Sequence, residues 1–397
     1  MRRLLALLAS TIALTAAAVG VSSGAPSPAT HADKSAGPGL GIHHVFVIVL
    51  ENESSESTYL HNPHPYLGKV LQRQGTLLTN YYATGHVSLD NYIAMISGQA
   101  PNLMTSSDCQ VYLNFNATTA PATLNSNGQA VGLGCVYPSN VMTLANQLSA
   151  HHISWHGYMD EMGNNPSREQ TRCGVPHTNL IGQDGTQTAT EGDQYAARHN
   201  PFVYFHSLID SGLCRKNVVP LTELPKALEK ASTTPDFDFI TPDLCDDGHD
   251  TGCAGPDARG KRTGGLASVD DFLSLWIPRI ERSPAYRENG IIIITSDESE
   301  TNDSTSCCGE KPGPTDPLPG LTGSGGGKIG TLVIGRCVAK GKRDAVPYNH
   351  YSLLRSLENI FGITTGGTDG HGHLGYAAAA GLRPFGSDLF STCKNPT

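Results

Sequence analysis

Positive charge is scarce in this chain of 397 residues, in which 27 lysines and arginines stand against 36 aspartates and glutamates. The formal net charge is −9, and such a chain offers no electrostatic attraction to a nucleic-acid backbone. We therefore expect no nucleic-acid partner. An anionic substrate would have to be drawn in by a local positive field, for example that of a bound metal ion.

Long apolar runs are lacking beyond the amino terminus. There, Arg2 and Arg3 precede an apolar run over 4–19, and a polar stretch with prolines and small residues follows. This order predicts a secretory signal peptide over residues 1–32, because the apolar run is short for a membrane-spanning helix.

Cleavage is expected to leave a short linker, 33–41, and a single catalytic domain, 42–397, with no transmembrane segment. The mature chain would lose two arginines and no acid, which takes its formal net charge to −11. The predicted location is therefore outside the cell.

CxxC pairs and zinc-finger spacings are absent among the ten cysteines. In an exported chain an even number of cysteines predicts disulfides. Cys245 and Cys253 could close a small loop. Cys307 and Cys308 are expected to pair with other cysteines, because adjacent cysteines bridge each other only with strain.

Short β-branched runs alternate with amphipathic stretches, which is typical of an α/β fold with a mainly parallel central sheet flanked by helices. The predicted strands are 44–50, 153–159, 237–240, 291–295 and 331–334. The predicted helices are 89–96, 141–148, 269–280 and 351–361. We expect Asn140 and Ser268 to open the second and third of these helices, and the Pro-, Gly- and Ser-rich stretch 302–328 to be a loop.

Two polar pairs follow predicted strands, where ligand sites gather in open α/β sheets. Glu51 and Asn52 come after strand 44–50 and offer oxygen ligands suited to a divalent cation; a helix cap or a solvated strand end is the alternative. Asp297 and Glu298 come after strand 291–295. Two adjacent acids at the end of a buried strand repel each other unless a cation or a proton separates them.

Ser88 opens the predicted helix 89–96. Backbone N–H groups and the positive end of the helix dipole beside its hydroxyl would hold a phosphoryl group, and a neighbouring metal would lower the cost of forming the alkoxide. An ordinary serine N-cap is the alternative. A Ser-His-Asp nucleophile elbow is excluded, since it needs glycine two residues on each side of the serine, where His86 and Asp90 stand.

Two histidines stand near predicted element ends. His249 lies in the acidic run 243–250, after strand 237–240, and His350 leads into helix 351–361. Each could contact a metal or a phosphate oxygen, or protonate a leaving group. With sixteen histidines in the chain, most must be structural.

These motifs together resemble a known family. The runs that carry the resemblance are 47–52, 86–92, 96–98, 246–250, 295–298 and 349–352. The chain resembles the bacterial phosphoesterase family, which contains secreted acid phosphatases and phospholipases C and belongs to the alkaline phosphatase superfamily. The resemblance covers roughly residues 42–363 and implies an alkaline phosphatase-like fold.

The resemblance implies hydrolysis of small-molecule or lipid phosphate monoesters, phosphoinositides among them, through a phosphoserine formed on Ser88. The residues implied to hold a divalent metal ion, of open identity and number, are Glu51, Asn52, Asp297 and Glu298. His249 and His350 would lie across the phosphate as acid or as ligands of a second metal, with Asp243 as a further candidate beside them. His86 and Asn91 would contact phosphate or fix the turn.

A phospholipase C-type phosphodiesterase is the alternative, because the fold and the metal cradle would be shared and only the leaving-group pocket would differ. Such lipases often carry additional carboxyl-terminal domains. The short stretch after Phe361 therefore favours a monoesterase.

Overall fold

The computed structural model describes residues 41–300 and 302–390, so the predicted signal peptide and nearly all of the predicted linker lie outside the described residues. The strands are β1 (His44–Leu50), β2 (Gly75–Leu78), β3 (Tyr81–Tyr82), β4 (Asn116–Ala117), β5 (Gly132–Leu133), β6 (Trp155–Met159), β7 (Val218–Pro220), β8 (Phe237–Thr241), β9 (Gly290–Ser296), β10 (Thr331–Gly335), β11 (Lys342–Asp344) and β12 (Tyr348–Asn349). The α-helices of the described residues are α1 (Ser88–Ser97), α2 (Leu144–Ala150), α3 (His206–Ile209), α4 (Leu213–Asn217), α5 (Leu224–Ala227), α6 (Gly265–Arg282), α7 (Pro284–Asn289) and α8 (His350–Ile360), and short 3-10 and π turns lie outside them.

One eight-stranded sheet has the strand order β11-β2-β10-β9-β1-β8-β6-β7. Strands β9, β1, β8, β6 and β7 pair in parallel. Strand β10 runs antiparallel to both β9 and β2, and β2 pairs in parallel with β11. Seven of the eight strands thus point the same way, which confirms the predicted mainly parallel sheet.

Helices cover both faces of this sheet, which explains why every residue of β1 is buried. On one face, Val45, Val47 and Val49 belong to a core that includes apolar residues of α1, α2 and α8. On the other face, Phe46 and Ile48 pack in a second core with residues of α6. The alternating side chains of one strand therefore serve two apolar layers.

The five predicted strands are all present, and their bounds differ from the predicted ones by at most two residues. Strand β2 was not predicted, since it is short and begins with glycine. A Cβ at Gly75 would lie 2.1 Å from the carbonyl oxygen of Val333 on β10. Glycine therefore stands there because the neighbouring strand comes so close.

The predicted starts of two helices are wrong. Helix α2 begins at Leu144, because Thr143 and Asn146 bind each other in a capping box, while the Asn140 side chain donates to Ala122 O at 2.8 Å. Helix α6 begins at Gly265, before Ser268. Helices α1 and α8 agree with the prediction to within one residue.

Disulfides join Cys109 to Cys135, Cys173 to Cys214, Cys245 to Cys253 and Cys307 to Cys308. The loop closed by Cys245 and Cys253 is confirmed. The expectation that Cys307 and Cys308 pair with other cysteines is wrong. The chain turns sharply there, with a φ of 69° at Cys308 and 72° at Gly309, and brings the adjacent sulfurs together.

The predicted loop 302–328 is confirmed, and it packs on the turn before α1. Pro319 O accepts from His86 N at 2.8 Å. None of the helices in the described ranges combines the length and the apolar character needed to cross a bilayer.

Candidate active site

Ser88 is the first residue of α1 and is buried. The preceding Val87 has a φ of 85° and gives the helix no side-chain cap. Two carboxylates from distant parts of the chain accept hydrogen bonds at the start of this helix in place of a side-chain cap. Glu298 Oε2 accepts from Val87 N at 2.7 Å, and Asp108 Oδ1 accepts from Leu89 N at 3.0 Å. The serine is therefore held in place from outside its own helix, and these two N–H groups are engaged with carboxylates.

The Ser88 hydroxyl donates a short hydrogen bond to Oε1 of Glu51, the residue that follows β1. The same oxygen contacts Nε2 of His199, whose ring stacks on Tyr92 of α1 with ring centroids 5.3 Å apart. Burial alone would raise the pKa of Glu51, but His199, Arg198 and the serine hydroxyl together lower it to about 2. The carboxylate beside the serine is thus ionised at neutral pH.

Arg198 supplies positive charge next to these groups. Its Nε lies 3.7 Å from Asp108 Oδ2, and a terminal N–H donates to Gln187 O at 2.9 Å. Burial lowers the pKa of Arg198, whereas the charges of Glu51, Asp108 and Asp247 raise it above its ordinary value. The guanidinium therefore stays charged and can attract a phosphate toward the serine.

Asp297, which follows β9, meets the other predicted ligands. Its Oδ1 accepts from the backbone N–H groups of Asn52 at 3.0 Å and Glu298 at 2.6 Å. Burial and then the charges of Glu51 and Glu298 hold the pKa of Asp297 well above its usual range. The structure thus brings together Glu51, Asn52, Asp297 and Glu298, with Asn52 joined to Asp297 through its backbone.

His86 is bound at both ring nitrogens. Nδ1 lies 2.7 Å from Glu298 Oε2, and Nε2 lies 2.7 Å from the carbonyl oxygen of Asp303. Burial lowers the pKa of His86, but Glu298 and Asp303 raise it overall. A protonated ring can donate to both oxygens at once.

Asn91 is also fully engaged in this turn. Its Oδ1 accepts from the N–H groups of Thr84 at 2.9 Å and Gly85 at 3.0 Å, and its Nδ2 donates to Gly85 O at 2.8 Å. Of the two roles that the sequence leaves open for His86 and Asn91, this geometry favours fixing the turn over contacting phosphate.

His249 is half exposed beside the buried acids. Its Nδ1 lies 3.3 Å from Asp250 Oδ1 and 3.8 Å from Glu51 Oε2. The contact with Asp250 raises the pKa of His249 to about 9 against the opposing effect of burial, and Glu51 and Asp247 add to the rise. His249 is therefore protonated at neutral pH and can donate a proton.

His350 is fully buried behind Asp297. Its Nε2 donates to the backbone carbonyl of Asp297 at 2.6 Å, and its Nδ1 lies 3.3 Å from the Tyr81 hydroxyl. Burial lowers the pKa of His350 to about 4. With a neutral ring and both nitrogens bound, His350 positions Asp297. A catalytic role for His350 stays a prediction, and this geometry does not favour it.

Three buried carboxylate oxygens near the serine have no hydrogen-bond partner within the described ranges: Glu51 Oε2, Asp247 Oδ2 and Asp297 Oδ2. One ligand atom each from Glu51, His199 and Asp247 lies within 4.8 Å of the others. Buried acids without partners are unfavourable, and carboxylate with imidazole is a donor set for divalent transition metals. The residues around Ser88, which we call the Glu51 cluster (Glu51, His199, Asp247 and Asp297), therefore fit a metal ion.

Sequence reasoning missed His199, Arg198 and Asp108. Arg198 and His199 lie in a short 3-10 turn, Ala197–His199, and Asp108 follows another, Thr105–Ser107. All three are away from the ends of predicted strands and carry no local signal of a site. Asp247 stands within the acidic run after β8 that the motif analysis singled out, but its neighbour His249 was chosen instead.

Comparison with known proteins agrees with the motifs. The model of the Phosphoesterase family matches residues 57–364, more than half of the chain. The chain belongs to the Phosphoesterase family. This confirms the family resemblance, and the matched range includes the motifs around Ser88 and Asp297.

Curated relatives of this phosphoesterase include a phosphate-repressible acid phosphatase of Penicillium chrysogenum, 24% identical over 82% of this chain and 60% of the relative. A phosphatidylinositol-3-phosphatase of Mycobacterium tuberculosis is 22% identical over 81% of this chain and 77% of the relative. The chain spans 53–60% of the length of the fungal acid phosphatases that it matches.

A solved structure described as a protein in the alkaline phosphatase superfamily from Vibrio parahaemolyticus is 13% identical, with a TM-score of 0.42. It covers 82% of this chain and 69% of the other.

Proposed function

We propose that this phosphoesterase is a metal-dependent phosphatase that hydrolyses phosphate monoesters by attack of Ser88 on phosphorus. The observation that carries the proposal is the hydrogen bond from the buried Ser88 hydroxyl to the ionised Glu51, in a cluster in which Asp247 and Asp297 each have one buried oxygen without a partner among the described residues. A serine that served only as a helix N-cap would not need buried, partly unpaired carboxylates around its hydroxyl. Family membership and the names of the curated relatives point to the same chemistry.

In the first step, Ser88 Oγ passes its proton to the ionised Glu51, forms a bond to phosphorus, and the bond from phosphorus to the leaving oxygen breaks. His249 is placed to give its proton to that oxygen, because its pKa of about 9 keeps it protonated at neutral pH. Arg198 would hold the phosphoryl oxygens. Water then attacks phosphorus and gives one proton to His249, the bond from Ser88 Oγ to phosphorus breaks to release inorganic phosphate, and Glu51 returns its proton to Ser88 Oγ.

We propose that Glu51, His199, Asp247 and Asp297 hold the divalent ion. When bound, such an ion neutralises the acids, stabilises the deprotonated serine and withdraws charge from the phosphoryl group. Asn52 and Glu298 stay predicted ligands. Glu298 has one carboxylate oxygen already committed to Val87 N and His86.

The nucleophile is tested by Ser88→Ala with p-nitrophenyl phosphate as substrate. We expect turnover to fall by roughly 10⁴-fold or more, while metal content and phosphate binding persist. Ser97→Ala is the matched control, because Ser97 lies in the same helix and its hydroxyl donates only to Ile93 O. Near-normal activity of Ser88→Ala would contradict the proposal.

The ligand set is tested by metal analysis of the purified protein and by chelation. We expect chelation to abolish activity and added metal to restore it. We expect His199→Ala to lose the bound metal. Asn52→Ala should lose the metal only if Asn52 is a ligand, as the sequence predicts. A chelated enzyme that works at full rate would rule out metal catalysis.

Substrate class separates the two candidate functions. The name of the mycobacterial relative supports phosphoinositide monoesters among the substrates. We expect cleavage of p-nitrophenyl phosphate and of phosphatidylinositol 3-phosphate, and slower cleavage of a phosphorylcholine ester. Preferential cleavage of the phosphorylcholine ester would replace the phosphatase with a phospholipase C.

We also propose that the protein is secreted after removal of residues 1–32. The apolar run over 4–19 and the disulfides support an oxidising destination. Amino-terminal sequencing of protein recovered from the culture medium should begin at or near Asp33. Full-length protein retained inside the cell would oppose this proposal.

A further inference from the structure

A second group of acids lies at the same edge of the sheet. Strands β6 and β8 pair in parallel, with Met159 opposite Thr241, so both end side by side. Asp160 follows β6, and Asp243 and Asp246 lie in the turn after β8. We call these three residues the Asp243 cluster. None of them contacts Ser88 in the hydrogen bonds of the described residues.

The turn after β8 brings Asp243 and Asp246 close together. Asp243 Oδ1 accepts from Cys245 N at 2.8 Å and from Asp246 N at 3.0 Å. One carboxylate oxygen each of Asp243 and Asp246 lies within 4.8 Å of the other. Oxygens bound to one calcium ion at about 2.4 Å can be up to about 5 Å apart, so this separation suits a shared cation.

Asp246 has one buried carboxylate oxygen without a hydrogen-bond partner in the described part of the chain. Its side chain is about as buried as the core, at 1% exposure. Its Oδ2 accepts from Ala258 N at 2.9 Å, but its Oδ1 has no partner among the described residues. A carboxylate oxygen left bare in this way is costly unless a proton or a cation reaches it.

The charges that act most strongly on Asp243 and Asp246 are negative. After burial, the charge of Asp160 contributes most to the raised pKa of both Asp243 and Asp246. The pKa of Asp160 is itself raised to about 7, by burial and then by the charge of Glu161. The repulsion is thus mutual, in contrast to the Glu51 cluster, which faces Arg198.

We propose that Asp160, Asp243 and Asp246 bind a hard divalent cation such as calcium, at a structural site separate from the Glu51 cluster. The ligands are carboxylate oxygens, which calcium prefers. Cys245 lies beside them, but its sulfur is bonded to Cys253 and offers no thiolate. A bound cation would join β6 to the turn after β8 and so fix the backbone that leads to Asp247 and His249.

The test uses the full mature protein after chelation, in an Asp297→Ala background that disables the Glu51 cluster. Calcium is added and binding is followed by calorimetry and by the melting temperature. We expect one equivalent to bind and to raise Tm by about 4 °C at a concentration of 100 Kd. Adding Asp246→Asn or Asp243→Asn should weaken binding at least tenfold.

Asp271→Asn is the matched control, since Asp271 is an acid on α6 that pairs with Lys261, and it should bind calcium as before. Two results would overturn the proposal. The first is that the Asp297→Ala protein binds no calcium, which would mean that protons, and not a cation, separate the acids of the Asp243 cluster. The second is unchanged calcium affinity in both Asp246→Asn and Asp243→Asn. Neither result depends on catalysis, so the proposed phosphatase activity stands or falls separately.

Discussion

Glu51 and Asp246 are both buried acids at the carboxyl edge of one sheet, yet burial has opposite outcomes for them. The pKa of Glu51 is lowered to about 2, because His199 and Arg198 face it. The pKa of Asp246 is raised to about 8, because burial is reinforced by Asp160. The charges that face a buried acid, more than its depth, therefore decide whether it is ionised. Four predictions test this contrast, in order of decreasing expected effect.

Glu51→Gln removes the ionised member of the Glu51 cluster and should have the largest effect. We expect kcat/KM to fall by roughly 10³-fold, because Ser88 loses its acceptor and the metal loses a charged ligand. Steady-state kinetics and metal analysis of the same sample check this. Glu53→Gln, at a neighbouring acid outside the Glu51 cluster, should change activity far less.

Arg198→Lys keeps the charge but loses the planar fork beside Glu51 and Asp108. We expect a fall in kcat/KM of roughly 10–100-fold and weaker inhibition by inorganic phosphate. Arg355→Lys serves as control, because Arg355 binds only carbonyl oxygens of the 377–379 segment. Equal losses in the two variants would show that Arg198 acts through stability alone.

The pH dependence of kcat/KM should report His249. A raised pKa means that the folded protein keeps the proton up to about pH 9, so activity that needs the protonated ring falls above that pH. We expect about a tenfold loss per pH unit on that limb. His249→Asn should remove the limb, whereas His206→Asn, which breaks a similar pair with Asp210, should leave it in place.

Stability of the chelated protein should show the smallest effect. Asp246 and Asp160 have raised pKa values in the folded state, so the folded protein holds more protons than the unfolded chain between their ordinary and raised values. Stability is therefore lost as pH rises from about 4 to about 8. We expect Asp246→Asn to flatten this slope in Tm by a few degrees, and added calcium to flatten it in the unaltered protein. A slope that Asp246→Asn leaves unchanged would contradict this assignment.

Much of this arrangement could be predicted from the sequence. Buried strands such as 44–50 and 291–295 reveal themselves by continuous β-branched residues, and a parallel sheet gathers whatever follows them at one edge. That reasoning places Glu51 and Asp297 together, and the motif around Ser88 places the serine with them. Short elements such as β2 gave no pattern to detect.

Other members of the site could not be predicted, because tertiary contacts alone bring them in. His199 and Arg198 lie in a short 3-10 turn, Ala197–His199, and contacts such as the stacking of His199 on Tyr92 and the pairing of Arg198 with Asp108 orient them. Likewise, the distinct partners of Glu51 and Asp246 cannot be seen in a linear list of acids.

The turn that presents Ser88 depends on partners from distant parts of the chain. Glu51 lies 37 positions away, Glu298 is 211 positions from Val87, and Asp303 is 217 positions from His86. Closing such long loops is slow relative to local helix formation. A polypeptide emerging from the ribosome would therefore carry an incomplete nucleophile turn until residues near 300 dock on it, and recovery of activity during refolding should trail the recovery of helical content.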